Sequence, residues 1–373
     1  MSSKLTIDTD DLKNALIATS FAVGTYGLVT ALKRRCDSKH YKLVGHVSDI
    51  MHFPVKGVRG NHLNTAVLTN RGMMSDGFYD RSFVVYHQES REMCNSKLPY
   101  SFCLVKIQVK FCDSTGTCVT LSAPGHKDLK IDLKTAVEHF KLDFPVDIYG
   151  SNAENLFDTG DKSADWITKY INHTDEKGEI VKFRIARFDN QKSQRNAKSS
   201  LQNQSEEKLS DDLNYDVTLG DGGSLLLYTN ASLNKLNSDL TKSGSMAIDN
   251  NNFRANIIVE SVGNIPFEED NWSEIKIGKF GQIGKSKVKN YDKFEKSVSL
   301  KNVMPCGRCN LPGIDTETGE QRTDGQPTIW LKENRTLGPD SHCFGSFFAM
   351  SKIDTGKIIE VGIGDPVYAK VQI

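Results

Sequence analysis

The chain lacks an excess of charge of either sign, with lysine plus arginine and aspartate plus glutamate at 47 each in 373 residues. Nucleic acid therefore meets no global attraction, and any ligand must be recognised locally. The eight cysteines lack the dense, even spacing of a secreted disulfide scaffold, which predicts thiols in a reducing compartment and favours the cytosolic side. The sequence has no internal repeat of fixed period, which excludes a solenoid or propeller. It has no glycine-rich dinucleotide fingerprint followed by an acidic residue, so the chain itself is not expected to bind NADH or FAD. The amino terminus also lacks the positive start and small-residue cleavage site of a secretory signal, because Asp8, Asp10 and Asp11 come first.

What the amino terminus does have is an uncharged run from Asn14 to Leu32, followed by Lys33-Arg34-Arg35. As a helix that run is about 28 Å long, close to the thickness of a bilayer core. It reads as one uncleaved transmembrane helix, although Gly24, Thr25 and Gly27 weaken its middle. Positive residues stay on the cytoplasmic side, so everything from Cys36 onward is expected in the cytosol. An amphipathic or buried amino-terminal helix is the alternative.

From residue 41 onward, short alternating runs dominate. Cys103, Val105, Ile107, Val109 and Phe111 alternate with polar residues and predict a half-buried strand, as do Leu129, Ile131 and Leu133. Ile167, Tyr170 and Ile171 predict one short helix. Residues 189–212 hold too few apolar positions to offset the entropy of ordering, and are read as a mobile polar surface loop. After it, Ser224–Tyr228 reads as a buried strand, and Leu233, Leu236 and Leu240 as the core stripe of a helix. The fold class that results is α+β, mostly β, with a β-rich first part and a β-barrel second part.

Met304-Pro305-Cys306-Gly307-Arg308-Cys309 contains a Cys-x-x-Cys, with His342-Cys343 further on. A zinc site from Cys306, Cys309, His342 and Cys343 is disfavoured, because the adjacent His342 and Cys343 do not easily reach one tetrahedron. A redox pair is disfavoured as well, for want of a βαβ context. A single thiolate binding a soft, higher-valent metal fits better, with Arg308 lowering the thiol pKa and offering a fork to an anion. Arg254 and Asn256, two apart before an apolar run, put a second fork and an amide on one face of a strand start. Taken alone, that pair and the cations Lys56 and Arg81 are equally well read as surface polar groups.

Phe53-Pro54-Val55-Lys56-Gly57, Asp80-Arg81-Ser82-Phe83, Ala231-Ser232-Leu233, Phe253-Arg254-Ala255-Asn256-Ile257, Arg308-Cys309, Asp315-Thr316-Glu317-Thr318-Gly319 and Val361-Gly362-Ile363-Gly364-Asp365-Pro366-Val367-Tyr368 follow one another in an order that resembles the MOSC-domain family, most closely its amidoxime-reducing branch. The resemblance implies an anchor over residues 1–36, a β-rich MOSC N-terminal domain over 41–175 and a MOSC β-barrel over 180–373. It implies a molybdenum cofactor (Mo-molybdopterin) held between the two domains, with Cys309 as catalytic metal ligand. Lys56, Gly57, Arg81, Gly222, Gly223, Arg254, Asn256, Gly307 and Arg308 would then grip the pterin and its phosphate. Gly57, Gly222, Gly223 and Gly307 stand where relatives tend to carry serine or threonine. The activity implied is reduction of N-hydroxylated compounds, amidoximes and hydroxylamines, with electrons from cytochrome b5 and NADH-cytochrome b5 reductase. Attachment to the mitochondrial outer membrane is implied too, and pyridoxal phosphate binding is a family association. The alternative readings are a non-catalytic cofactor carrier or sulfur-handling module, and a structural membrane protein.

Overall fold

A computed structural model describes residues 41–95, 98–133, 140–148, 150–189, 195, 217–278, 297–337, 342–350 and 358–371. The expected anchor, Asn14–Leu32, lies outside the described residues. Among the described residues no helix is long and apolar enough to cross a membrane.

The first part of the chain is built from short strands: β1 Lys42–His52, β2 Asn61–Leu63, β3 Thr65–Thr69, β4 Gly72–Ser75, β5 Phe78–Tyr79, β6 Phe83–His87, β7 Gln108–Phe111, β8 Cys118–Ser122, β9 Leu129–Asp132, β10 Val146–Ile148, β11 Ser151–Ala153 and β12 Phe157–Asp158. Helix α1 (Asp161–Ile171) and β13 (Phe183–Arg187) complete it. The second part holds β14 Leu225–Thr229, α2 Asn230–Lys242, the single turn α3 Asn250–Phe253, β15 Ile257–Ser261, β16 Trp272–Ile277, β17 Val298–Gly307, α4 Thr328–Asn334, β18 Cys343–Met350, β19 Ile359–Gly362 and β20 Pro366–Val371.

Seven strands close into a barrel in the order β15-β14-β18-β17-β16-β20-β1, with β1 pairing back onto β15, while β2 hangs on the outer edge of β1. One stave, β1, therefore comes from the amino-terminal part of the chain. The exchange runs the other way too, since β19 pairs with β3 in a separate sheet.

Strands β14 and β15 are parallel, joined through α2 and α3, and a parallel pair with a helical crossover is covered on both faces. Leu225, Leu227, Ile257 and Val259 point into the barrel core with Trp272, Ile275 and Phe348. Leu226, Tyr228 and Ile258 point the other way, against Leu236 and Leu240 of α2. That double burial is why Leu225–Tyr228 is apolar at every position. Thr229 caps α2 by accepting the Ser232 N–H.

Two expectations need correction. The alternation from Cys103 to Phe111 is only half strand: Pro99–Lys106 forms 3₁₀ turns and β7 keeps Gln108–Phe111. Proline near the start fixes φ at a helical value, and Leu104 and Val105 still find burial from that conformation. The cysteines are not all thiols either, because Cys112 and Cys118 at the β7–β8 turn are disulfide-bonded. Cys94, Cys103, Cys306, Cys309 and Cys343 remain thiols.

Below the start of α2, Glu269 is fully buried. Ser232 Oγ donates to it at 2.7 Å and Thr229 Oγ1 at 3.0 Å. Burial outweighs these bonds and pushes its carboxyl up to about 7. A carboxyl that keeps its proton in the folded state and loses it near pH 4.5 when unfolded contributes stability at low pH, and this is lost as pH rises through 7. We expect Glu269→Gln, which stays neutral and keeps acceptor and donor, to remove that dependence. Between pH 6 and pH 7 the wild type should lose about 1 kcal/mol more than the variant in urea unfolding. Equal losses would show that Glu269 is ionised in both states.

Candidate functional site

At the end of β1 the chain crosses from the barrel to the amino-terminal strands, and there two of the motif segments zip together through their backbones. Arg81 N–H donates to Phe53 O at 2.7 Å, Phe83 N–H to Pro54 O at 3.0 Å and Lys56 N–H to Phe83 O at 2.8 Å. Asp80 is buried at this crossing and accepts the Phe53 N–H at 2.7 Å, with Arg81 as its ion-pair partner. The pairing fixes where Lys56 and Arg81 emerge.

Arg254 reaches the same place from the opposite side. It follows α3, whose Asp249 and Asn252 form a reciprocal capping box. Arg81 and Arg254 both adopt left-handed backbone, φ 50° and 61°, which costs an L-residue about 1 kcal/mol or more and is tolerated where the surroundings impose it. Their guanidiniums pack on one buried ring, Phe53, at 4.9 and 4.4 Å from its centre, which supplies a favourable face to cations held out of water. Arg81 Nη2 also donates to Arg254 O at 3.0 Å. Arg254 Nη1 donates to Val58 O at 2.6 Å, whereas its Nη2 is buried without a partner. Burial, and then Arg81 beside it, push the Arg254 guanidinium down to about 9. Such an environment favours an anion that would accept the orphaned N–H.

Asn256 is committed to the protein at both ends of its amide. Its Oδ1 accepts Leu226 N–H at 3.1 Å and Arg81 Nη1 at 3.4 Å, and its Nδ2 donates to Met51 O at 3.3 Å. It brackets β1, β14 and Arg81 in place.

The loop ahead of β14 closes the third side. Thr218 Oγ1 donates to Asp80 O at 2.6 Å and Leu219 N–H to Arg81 O at 3.2 Å. Asp221 then meets Lys56 in an ion pair. Burial pushes the Lys56 ammonium down, while Asp221 works against that shift. At Gly223 an added Cβ would stand 2.7 Å from Phe347 Cβ, and at Gly57 the φ of +83° is one that side chains avoid. Both positions therefore leave main-chain N–H groups open to close approach.

Arg195 was absent from the expected site, because it lies within the polar stretch 189–212 read as a surface loop. The structure buries it, and it donates to Ser151 Oγ at 3.2 Å, to Thr218 O at 3.3 Å and to Gly220 O. No local signal in so polar a stretch distinguishes it; only the missing carboxylates near Gly220 could have prompted a search for a donor.

Arg308 and Cys309 lie on the run out of β17. Arg308 Nη1 donates to Cys306 Sγ at 3.0 Å and Nη2 to Phe253 O at 2.5 Å, with Nε buried and lacking a partner. The expectation that Arg308 activates Cys309 is thereby corrected: successive strand residues face opposite ways, and the guanidinium follows Cys306 inward. Cys306 is buried, and that burial pushes its thiol up to about 11. Cys309 is exposed, and its charge acts on Arg254. Gly307, opposite Cys343 in the ladder, is exposed too.

The remaining motif stretches are structural. Asp315 Oδ1 accepts the Glu317 and Thr318 N–H groups at 2.8 Å, closing a turn whose Glu317 pairs with Arg59. Gly364 N–H and Asp365 O bond Val47, bracing β1. A cavity of 780 Å³ lined by Arg59, His62, Asp76, Lys110, Phe111, Cys112 and their neighbours includes none of Lys56, Arg81, Arg254, Arg308 or Cys309. Among the described residues no group of histidine, cysteine and carboxylate is arranged to hold a metal by itself.

A MOSC N-terminal beta barrel domain matches residues 44–174, and a MOSC domain matches residues 214–368. The chain belongs to the MOSC-domain family. Mitochondrial amidoxime reducing component 2 of Bos taurus is 29% identical over 339 residues, spanning 88% of this chain and 84% of the relative. The human component 2 is 28% identical over 367 residues, spanning 96% and 92%. Human mitochondrial amidoxime-reducing component 1 is 29% identical over 366 residues, spanning 95% and 91%. In MOSC-domain terms, the cluster of cations lies where the barrel and the N-terminal strands meet, with residues of both matched regions contributing.

Proposed function

We propose that this MOSC-domain chain is a molybdenum-cofactor-dependent oxidoreductase that reduces N-hydroxylated compounds such as amidoximes and hydroxylamines. The observation that carries the reading is the convergence of Lys56, Arg81 and Arg254 beside the exposed Cys309, with orphaned N–H groups on Arg254 and Arg308. An anionic pterin phosphate fits that donor set, because buried guanidiniums without carboxylate partners gain most from phosphate oxygens. Lys56, Gly57, Arg81, Gly222, Gly223, Arg254, Gly307 and Arg308 would hold it. Asn256 would act by fixing Arg81, and Cys309 would give its thiolate to molybdenum.

When bound, the cofactor supplies two-electron redox chemistry at the metal. The chain's own part is to orient that group, to surround it with fixed positive charge and to leave one face open at Cys309. Having no dinucleotide fingerprint, the chain takes its electrons from a partner, and we assign that role to cytochrome b5 and its NADH-dependent reductase. The relatives' names support both the reaction and a mitochondrial location. With Asn14–Leu32 as anchor, the site would face the cytosol from the outer membrane, which protease added to intact mitochondria reports by digesting it.

The test is reconstitution. Full-length protein loaded with molybdenum cofactor, given NADH, the reductase and cytochrome b5, should convert an aryl amidoxime to its amidine and water, using two electrons and two protons. Omitting cytochrome b5 should stop the reaction. Undiminished turnover without it would remove the partner, and no turnover by fully loaded protein would favour a cofactor carrier.

A further inference from the structure

The cation cluster already contains one carboxylate that does not belong to its frame. Asp80 does belong: it is buried and bonded to the Phe53 N–H as well as to Arg81. Asp221 differs. Its side chain is 47% exposed while that of its partner Lys56 is 11% exposed, so the carboxylate reaches in from the solvent side and the ammonium forms the wall. Its negative charge acts on Lys56, Arg195, Arg81 and Arg254 together.

The loop that carries Asp221 is held at both ends and bare between them. Thr218 and Leu219 are bonded to Asp80 and Arg81, and Arg195 binds the carbonyls of Thr218 and Gly220. On the far side Gly223 sits against Phe347 so closely that a Cβ would collide. Between these anchors the sequence is Gly220-Asp221-Gly222-Gly223. Asp221 is the single side chain on a glycine stretch, and glycine lets the backbone turn with little steric cost. The carboxylate can leave Lys56 while the loop stays docked.

We propose that Asp221 is an internal stand-in for the anionic ligand, neutralising Lys56 in the ligand-free protein and swinging out to solvent when a phosphate group takes its place among the cations. This rests on the reading of the cluster as an anion site. The exchange is favourable in direction. A partly exposed pair is weakened by water, whereas a phosphate brings more charge and can be gripped by two parallel N–H bonds from one arginine. A carboxylate that stayed on Lys56 would repel that phosphate. Asp221 thus sets how strongly the site discriminates between a weak monoanion and a phosphate ester, and it keeps a buried ammonium paired until the ligand arrives.

The test uses the full chain purified from a host that makes no molybdenum cofactor, with inorganic phosphate as the probe. Wild type, Asp221→Asn and the surface control Asp128→Asn are compared by calorimetry at low ionic strength, with thermal unfolding followed with and without phosphate. Asparagine keeps the shape and removes the competing charge. Asp221→Asn should bind phosphate about fivefold more tightly than wild type, the most that a partly exposed pair is worth. Its unfolding midpoint should rise more on adding phosphate, and Asp128→Asn should match wild type in both. Equal or weaker phosphate binding by Asp221→Asn, with measurable binding by wild type, would overturn the inference and leave the anion site standing. If wild type and variant bind no phosphate, and protein from a cofactor-producing host carries no molybdenum or pterin, the anion site fails and the inference with it.

Discussion

Cys309→Ser should lose N-reduction by far more than about a hundredfold, the loss that disturbing a mere neighbour of a metal ligand can already cause. A serine hydroxyl stays protonated near neutral pH and is a hard donor, so it does not replace a soft thiolate at molybdenum. Cys306→Ser should be mild by comparison. Cys306 is buried, its thiol is pushed up to about 11 by that burial, and Arg308 Nη1 already donates to it. A serine oxygen there can accept the same N–H in nearly the same space. Both variants should be assayed for cytochrome b5-driven amidoxime reduction and for molybdenum per protein. Loss of activity in Cys306→Ser with retention in Cys309→Ser would move the ligand inward and make Arg308 its activator after all.

The sequence carried the fold wherever burial left a local trace. Leu225–Tyr228 reads as a doubly covered strand because both of its faces are buried, and Leu236 and Leu240 read as helix core because they meet one of those faces. The failures have physical causes. Alternation from Cys103 to Phe111 is satisfied equally by a strand and by 3₁₀ turns that bury Leu104 and Val105, and Pro99 decides between them. Nothing local in Lys42–His52 says that the strand will close a barrel against Ile257–Ser261, since strand partners are set by the whole topology.

At the site, the cations of the motif segments were legible, but their directions were not. Arg308 turns toward Cys306, and Asn256 serves the protein rather than facing outward. Arg195 and Asp221 were invisible, the first because a polar stretch hides a single buried arginine and the second because an aspartate among glycines reads as an ordinary turn. The disulfide between Cys112 and Cys118 was missed because composition reports a compartment and not a particular pair.

The second large effect concerns Arg254, and it bears on the central claim that an anionic cofactor is held between the barrel and the amino-terminal strands. Arg254 is buried and stacked on Phe53, with one N–H group lacking a partner, and it has Arg81 beside it. Each bond to a charged group contributes about 1.5 to 3 kcal/mol, so losing this guanidinium should weaken retention by roughly tenfold to a hundredfold. Arg254→Lys should also weaken it, since one ammonium does not reproduce a fork. The measurement is molybdenum and pterin per protein in wild type, Arg254→Ala and the surface variant Lys130→Ala, purified from a cofactor-producing host, with thermal unfolding in parallel. Wild type and Lys130→Ala should carry close to one cofactor per chain, and Arg254→Ala should still fold yet carry little. Equal cofactor in Arg254→Ala and Lys130→Ala, or none in wild type, would contradict the account.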